Sequence, residues 1–281
     1  MSDRHTILLT GVPRSGTTLA CHLLNKAPDT VALHEPMDVF TFSALRKQGG
    51  DAAVLDAISA FAAAQRASLL EHGTARSKAV DGKVPDNPIS RVASADGLRR
   101  SMAGLVQVSF GKPRASGFTL VMKHPSAFSA LLPALVSRFQ VAAVVRNPLA
   151  ILGSWASVRL AVHDGHAPAA ENLDPALHEA LTARGERLER QIHLIGWFFE
   201  RFARWLPRAR VVRYEDMIAT GGAALGAITA AAAGLAEPLR NSNKSELYDS
   251  AALRVAGARL LESDGAYWQF YRREEVAALI A

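Results

Sequence analysis

The sequence predicts an α/β chain, a single domain over residues 1–281 built on a central, mostly parallel sheet of about five strands flanked by helices. Three observations carry that expectation. Five short apolar runs with β-branched content are spread along the chain, each of a length suited to a buried strand. Longer stretches with helical periodicity lie between them, and strands that alternate with helices form a parallel sheet covered on its faces. Neither a repeat of about 20–50 residues nor a low-complexity linker divides the chain.

The first run, Thr6–Thr10, leads through a glycine-containing turn into a helical pattern from Leu19 to Lys26. The second is Thr30–His34, the third Phe118–Lys123, the fourth Gln140–Val145 and the fifth Ala209–Arg213. The clearest helical stretch opens at Asp174-Pro175, a capping residue followed by proline at the first helical position. Leu177, Leu181, Leu188, Ile192, Ile195, Phe199 and Phe202 then recur at three- and four-residue steps until Pro207. Two polar segments, roughly 73–93 and 163–173, read as loops, and loops of that length often carry function. On sheets of this kind ligands sit beyond the carboxyl ends of the strands.

Composition narrows the classes. With 49% hydrophobic and 21% charged residues the chain reads as an ordinary globular protein. At this length about three quarters of the unfolded surface can be buried, so the core needs no disulfide or metal staple. One cysteine, Cys21, suits a reducing compartment. The polar start from Met1 to Thr6 does not read as a signal peptide, and no apolar stretch of about 18 residues suggests a membrane span. A cytoplasmic location is expected. Thirty-two Lys and Arg against 26 Asp and Glu leave a charge of +6, which favours anionic ligands. The arginines are scattered and not interleaved with aromatics, which argues against a nucleic-acid partner.

The first run ends in Gly11-Val12-Pro13-Arg14-Ser15-Gly16-Thr17-Thr18. Two glycines let the backbone turn tightly around an anion while the amides of the following helix point at it. The Gly-x4-Gly spacing of a phosphate loop is kept, but Thr17 stands where nucleotide triphosphatases carry lysine, and Arg14 lies inside the loop. Lysine and magnesium neutralise a transferring phosphoryl group, so hydroxyls with one arginine suit a phosphate held without metal.

With that loop the sequence resembles the PAPS-dependent sulfotransferases, and Pro13-Arg14-Ser15-Gly16-Thr17-Thr18 looks like their 5′-phosphosulfate-binding loop. The resemblance implies a P-loop-like domain, PAPS as co-substrate with PAP as product, and transfer of a sulfuryl group to a hydroxyl or amine without a metal. Further matches follow in the family's order. Arg146-Asn147-Pro148 comes directly after the fourth run, with Ser154 two helical turns on. An arginine and a serine so spaced can converge on one phosphate, and the resemblance makes it the 3′-phosphate of PAPS. Tyr214 in Tyr214-Glu215-Asp216-Met217 looks like the tyrosine beside the adenine. Glu35, at the end of the second run, matches in type and offset the glutamate that is the base of the glycan- and tyrosyl-sulfating branches. His34 and His124 are its rivals, because the cytosolic small-molecule branch uses histidine.

Lys123, in Lys123-His124-Pro125, matches a lysine that neutralises charge on the bridging oxygen as the phosphate leaves. The segment Arg240-Asn241-Ser242-Asn243-Lys244 resembles the late loop that closes over PAPS, with Ser242 as a further donor and Asn241 and Lys244 as cofactor contacts. The glycine-rich closing motif of cytosolic members is absent. The implied partners are PAPS and an acceptor, a carbohydrate, glycolipid head group or small natural product that a membrane could carry. Two alternatives stay open: an ATP- and magnesium-dependent kinase of the P-loop type, and a non-catalytic binder of PAP or another polyanion. His163-Asp164-Gly165-His166 carries metal-ligand residue types, but that spacing alone is poor grounds for a metal site.

Overall fold

The computed structural model of the protein describes residues 5–111 and 115–280. Seven strands are present among them: β1 (Thr6–Gly11), β2 (Thr30–His34), β3 (Thr74–Ala79), β4 (Gly104–Ser109), β5 (Thr119–Lys123), β6 (Gln140–Val145) and β7 (Val211–Arg213). The helices that follow the early strands are α1 (Thr17–Leu24) and α2 (Phe42–Glu71), then α3 (Pro125–Ala130) and α4 (Leu132–Leu135) after β5. After β6 come α5 (Pro148–Ala156), α6 (Pro168–Glu171), α7 (Pro175–Thr182) and α8 (Arg187–Trp205). The chain ends with α9 (Tyr214–Ala219), α10 (Ser250–Leu261) and α11 (Arg273–Ala277).

Five strands form one sheet in the order β2-β5-β1-β6-β7, and every neighbouring pair runs parallel. The five apolar runs read from the sequence become these five strands. Residues on their inner positions, such as Leu8, Leu9, Val31, Leu33, Val121, Val144, are fully buried, as a sheet covered on both faces requires. Register then does the work of assembly. Lys123 lies opposite Leu9 on one side and His34 on the other. Gly11 lies opposite Val144 and Val145 opposite Arg213. The carboxyl ends of all five strands therefore fall along one edge of the sheet.

Two expectations need correction. The segment 73–93, read as a loop, contains β3, which pairs with β4 as an antiparallel ribbon outside the main sheet. The inward residues of β3 are Ala75, Ser77 and Ala79, too small and polar to show apolar alternation. The periodic run from Asp174 is two helices, α7 and α8, separated at residues 183–186. Asp174 caps α7 by accepting from the Leu177 amide, and its other oxygen accepts from Trp197 and Arg201 of α8, so α8 doubles back along α7. The segment 163–173 likewise holds α6 within it.

Helix α2 is bent at Gly49-Gly50, where Gly50 takes φ 66. Beyond the bend Val54, Leu55, Ile58, Ala62 and Leu69 turn into the core. By length and composition alone Val39–Glu71 is the one helix among the described residues able to cross a membrane.

Candidate active site

Between β1 and α1 the chain makes a turn that only glycine permits at two points. Gly11 has φ 152, and a Cβ there would come within 2.3 Å of the Val144 carbonyl; Gly16 has φ 95, and a Cβ would meet the Tyr214 ring at 2.8 Å. Arg14 also adopts a left-handed backbone, φ 72, a conformation that non-glycine residues keep mainly where the surroundings impose it. The turn is tied down from outside. The Ser15 amide donates to the Val12 carbonyl, the Ser15 hydroxyl donates to the Val144 carbonyl at 2.7 Å, and Trp155 Nε1 donates to the Pro13 carbonyl at 2.8 Å. No side chain caps α1 at Gly16, so its first amides are left for a ligand or solvent.

Glu35 follows β2 with φ 45, and its amide extends the pairing to β5 by donating to the Lys123 carbonyl. One carboxylate oxygen, Oε1, accepts from Lys123 Nζ at 2.7 Å, and Oε2 accepts from Lys78 Nζ at 2.5 Å. Lys123 Nζ also reaches Thr18 Oγ1 at 3.4 Å, linking the carboxylate to the loop. Burial pushes the Glu35 carboxyl up, but Lys123, His34 and Lys78 outweigh it and hold it well below the usual carboxylate range. Burial and the neighbouring Lys123 pull His34 down to about 4, and burial pulls His124 down to about 3. Both imidazoles are neutral at pH 7.

At the β6 end Arg146 is only 5% exposed. Its guanidinium lies 4.6 Å from the centre of the Tyr214 ring. Four acceptors fix its orientation: Nε donates to Asn243 Oδ1 at 2.7 Å, Nη1 to the Arg14 carbonyl at 3.3 Å, and Nη2 to the Ser242 carbonyl at 2.6 Å and the Tyr248 hydroxyl at 3.3 Å. Arg14 Nε donates to Ser154 Oγ at 3.2 Å. Burial, with Arg146 close by, lowers the Arg14 guanidinium to about 10, still cationic at pH 7.

These groups open onto a single cleft of about 940 Å³, whose lining carries eight Lys and Arg side chains against three Asp and Glu. Of the residues singled out in the sequence, Pro13, Arg14, Gly16, Thr17, Thr18, Glu35, Lys123, Arg146, Ser154, Tyr214 and Ser242 line it, as does His34. Four do not. Ser15 is buried with its hydroxyl spent on Val144, so its contribution is to hold the turn. His124 is buried, and its Nε2 accepts from the Met37 amide. Asn241 turns its Oδ1 to the Asn243 amide, and exposed Lys244 lies outside the lining. Between them Asn243 is the buried residue that reaches Arg146.

Sequence reasoning missed Lys78, Arg99, Tyr248 and the hub at Glu215. Arg99 is buried against α5, donating to Ser157 Oγ at 2.7 Å. Glu215 accepts from the Asn147 amide, Asn243 Nδ2 and the Tyr271 hydroxyl at 3.0, 2.7 and 2.7 Å, binding the β6 end, the late loop and the C-terminal segment together. A carboxylate just after a strand that ends in arginine was the available signal, but nothing local told of partners 28 to 68 residues away. The two loop histidines first considered as metal-ligand types have protein partners: His163 sits between the Trp155 carbonyl and Arg187, and His166 faces Glu171.

No family model matches the sequence, and no curated protein matches it. Among solved structures, the chain is similar to a sulfotransferase, STF1 of Mycobacterium tuberculosis H37Rv, over 99% of this chain and 76% of that one, at 16% identity and a TM-score of 0.34.

Proposed function

We propose that the chain is a PAPS-dependent sulfotransferase that moves a sulfuryl group to an acceptor hydroxyl, with PAP as the other product. The observation that carries the reading is the convergence on one cationic cleft of an uncapped helix start with Arg14, the Arg146–Ser154 neighbourhood and the Glu35–Lys123 pair. The α1 amides and Arg14 would bind the 5′-phosphosulfate, because oriented amides and a guanidinium suit an anion. Arg146 and Ser154 would take the 3′-phosphate, with Tyr214 beside the base. Glu35 would accept the acceptor's proton while Lys123 neutralises the oxygen that departs, each donor aimed at developing charge being worth a few kcal/mol.

Thr17 in the position of a phosphate-loop lysine supports PAPS over ATP with magnesium. The acceptor is proposed to be a carbohydrate, glycolipid head group or small natural product, and the location cytoplasmic. Calorimetric titration with PAP and with ATP–magnesium tests the reading. PAP is expected to bind at least about tenfold more tightly; the opposite preference overturns it.

A further inference from the structure

A base works best when its charge is not already neutralised, yet each oxygen of Glu35 accepts from an ammonium group, which leaves lone pairs but lowers their basicity. The two lysines are not alike. The Lys123 side chain is 3% exposed, stands on the central sheet and also touches Thr18. The Lys78 side chain is 38% exposed and stands on β3, in the ribbon outside that sheet. The ribbon's backbone is pinned there, since Ser77 Oγ accepts from the His34 amide at 2.9 Å, but the Lys78 ammonium sits at the end of a flexible four-carbon stem. The same wall of the cleft carries the exposed side chains of Lys83 and Arg91, cationic charge additional to that of Arg14, Lys123 and Arg146.

We propose that Lys78 gates Glu35 and that an anionic group on the acceptor, close to the hydroxyl being sulfated, opens the gate by drawing Lys78 away from Oε2. The inference rests on the sulfuryl-transfer reading and names its substrate class: an acceptor that carries a carboxylate, phosphate or sulfate. Pulling a lysine off a half-buried carboxylate without a replacement partner is strongly unfavourable; an anionic acceptor supplies the replacement, whereas a neutral one does not. With Oε2 free, the acceptor O–H gives its proton to Glu35 as the new O–S bond forms. The bond from sulfur to the 5′-phosphate oxygen breaks, and its electron pair leaves with PAP. Without an acceptor, water is the nucleophile and sulfate the product, and the masked carboxylate keeps that loss slow.

The test begins with PAP binding, then measures sulfate release from PAPS without acceptor in wild type, Lys78→Met and Lys78→Arg. Lys78→Met is expected to release sulfate about tenfold faster, and Lys78→Arg to behave as wild type. Acetate in the millimolar range should speed release by the unaltered protein and leave Lys78→Met unchanged. The acid limb of the Lys78→Met profile should move to higher pH, because only Lys123 and the neutral His34 and His124 then face Glu35, a shift that a merely structural lysine would not cause. Equal release by wild type and Lys78→Met overturns the gate. A flat acetate response overturns the selection of anions, and needs no variant to fold. Failure of PAP to bind brings down the nucleotide reading itself, which separates the two failures.

Discussion

The floor and the side wall of the cleft are made in opposite ways. The floor is the carboxyl edge of the parallel sheet. Its groups, Lys123, Arg146 and Ser154, are buried, as are Ser15, Thr17 and Thr18 of the 11–18 turn, and they are placed by strand register and backbone hydrogen bonds. The wall comes from residues 78–102, the end of β3 and the connection that leads from it towards β4, and presents Lys78, Lys83 and Arg91 from partly or fully exposed positions. A floor built on register holds a rigid anion in one pose, because moving any of its groups would disturb the sheet. A wall of long cationic side chains on a ribbon adapts, and its substitutions cost the core little. On the proposed reading, the floor would take the invariant half of the reaction and the wall the variable half.

The largest expected effect falls where floor and wall meet. Glu35→Gln keeps the shape of the side chain and removes its basicity, so turnover should fall by about a hundredfold or more, while PAP affinity changes by less than about twofold. Steady-state kinetics beside calorimetry measure both. An equal loss of PAP affinity would mean that Glu35 organises the floor instead of acting on the acceptor, and the comparison would break.

How well the two regions could be read in advance follows from the same difference. The floor was legible because each of its groups closes a strand-forming run or sits one residue beyond it: Lys123 closes its strand, Glu35 follows His34, Arg146 follows Val145 and Tyr214 follows Arg213. Burial on both faces forces such strands to be apolar, and the end of the run marks the site. The wall was not legible. Residues 104–109 expose Leu105 and Val106 and bury Val108, so β4 shows no alternation with a polar outer face, and β3 buries only alanine and serine. Lys78 is therefore indistinguishable in sequence from any lysine of a polar loop; only the pairing of Ser77 with His34 brings it to Glu35. The late loop lies between these cases. Its segment was found, with Arg240 and Ser242 lining the cleft, but which of the five polar side chains reaches Arg146 depends on that distant partner, and the answer is Asn243, not Asn241 or Lys244.

A matched pair of substitutions sharpens the contrast at the next level. Arg146→Lys retains charge but cannot reproduce the fork that meets Asn243, Ser242 and Tyr248 together, and leaves at least one buried acceptor without its donor. PAP should bind about thirtyfold more weakly, the equivalent of about 2 kcal/mol. Lys83→Ala on the wall should alter PAP affinity by less than about threefold. Comparable losses from both would erase the distinction between the regions.

Within the floor, Glu215 tests whether placement depends on the late loop being anchored. Glu215→Gln keeps the length of the side chain but weakens the acceptor that the Asn147 amide, Asn243 and Tyr271 share. A loss of about 1–2 kcal/mol in unfolding free energy is expected, read as a lower urea midpoint at unchanged slope. A smaller loss of PAP affinity should accompany it, because Asn243 in turn positions Arg146.

The smallest effect is a slope, and it probes how dry the floor is. His34 and His124 lie under Glu35 and Lys123 with values pulled down to about 4 and about 3, whereas an unfolded histidine titrates near about 6.5. Between pH 6.5 and 4 the unfolded chain therefore binds protons that the folded chain refuses, and stability must fall as pH falls. Glu35 adds to this with the same sign: its folded value lies well below 4.5, so its contribution is present above the unfolded value and is lost as pH drops towards the folded one. His34→Gln removes one of these groups and relaxes part of the downward pull on Glu35, 3.6 Å from Nε2, both of which flatten the slope, while Nδ1, buried without a hydrogen-bond partner, loses nothing. Removing it should make the dependence of unfolding free energy on pH shallower by up to about 1.4 kcal/mol per pH unit in that window. Urea titrations at pH 6.5, 5.5 and 4.5 measure the slope. An unchanged slope would show that His34 takes up its proton in the folded protein, and hence that water reaches the carboxyl edge of β2, so that this part of the floor is as open as the wall.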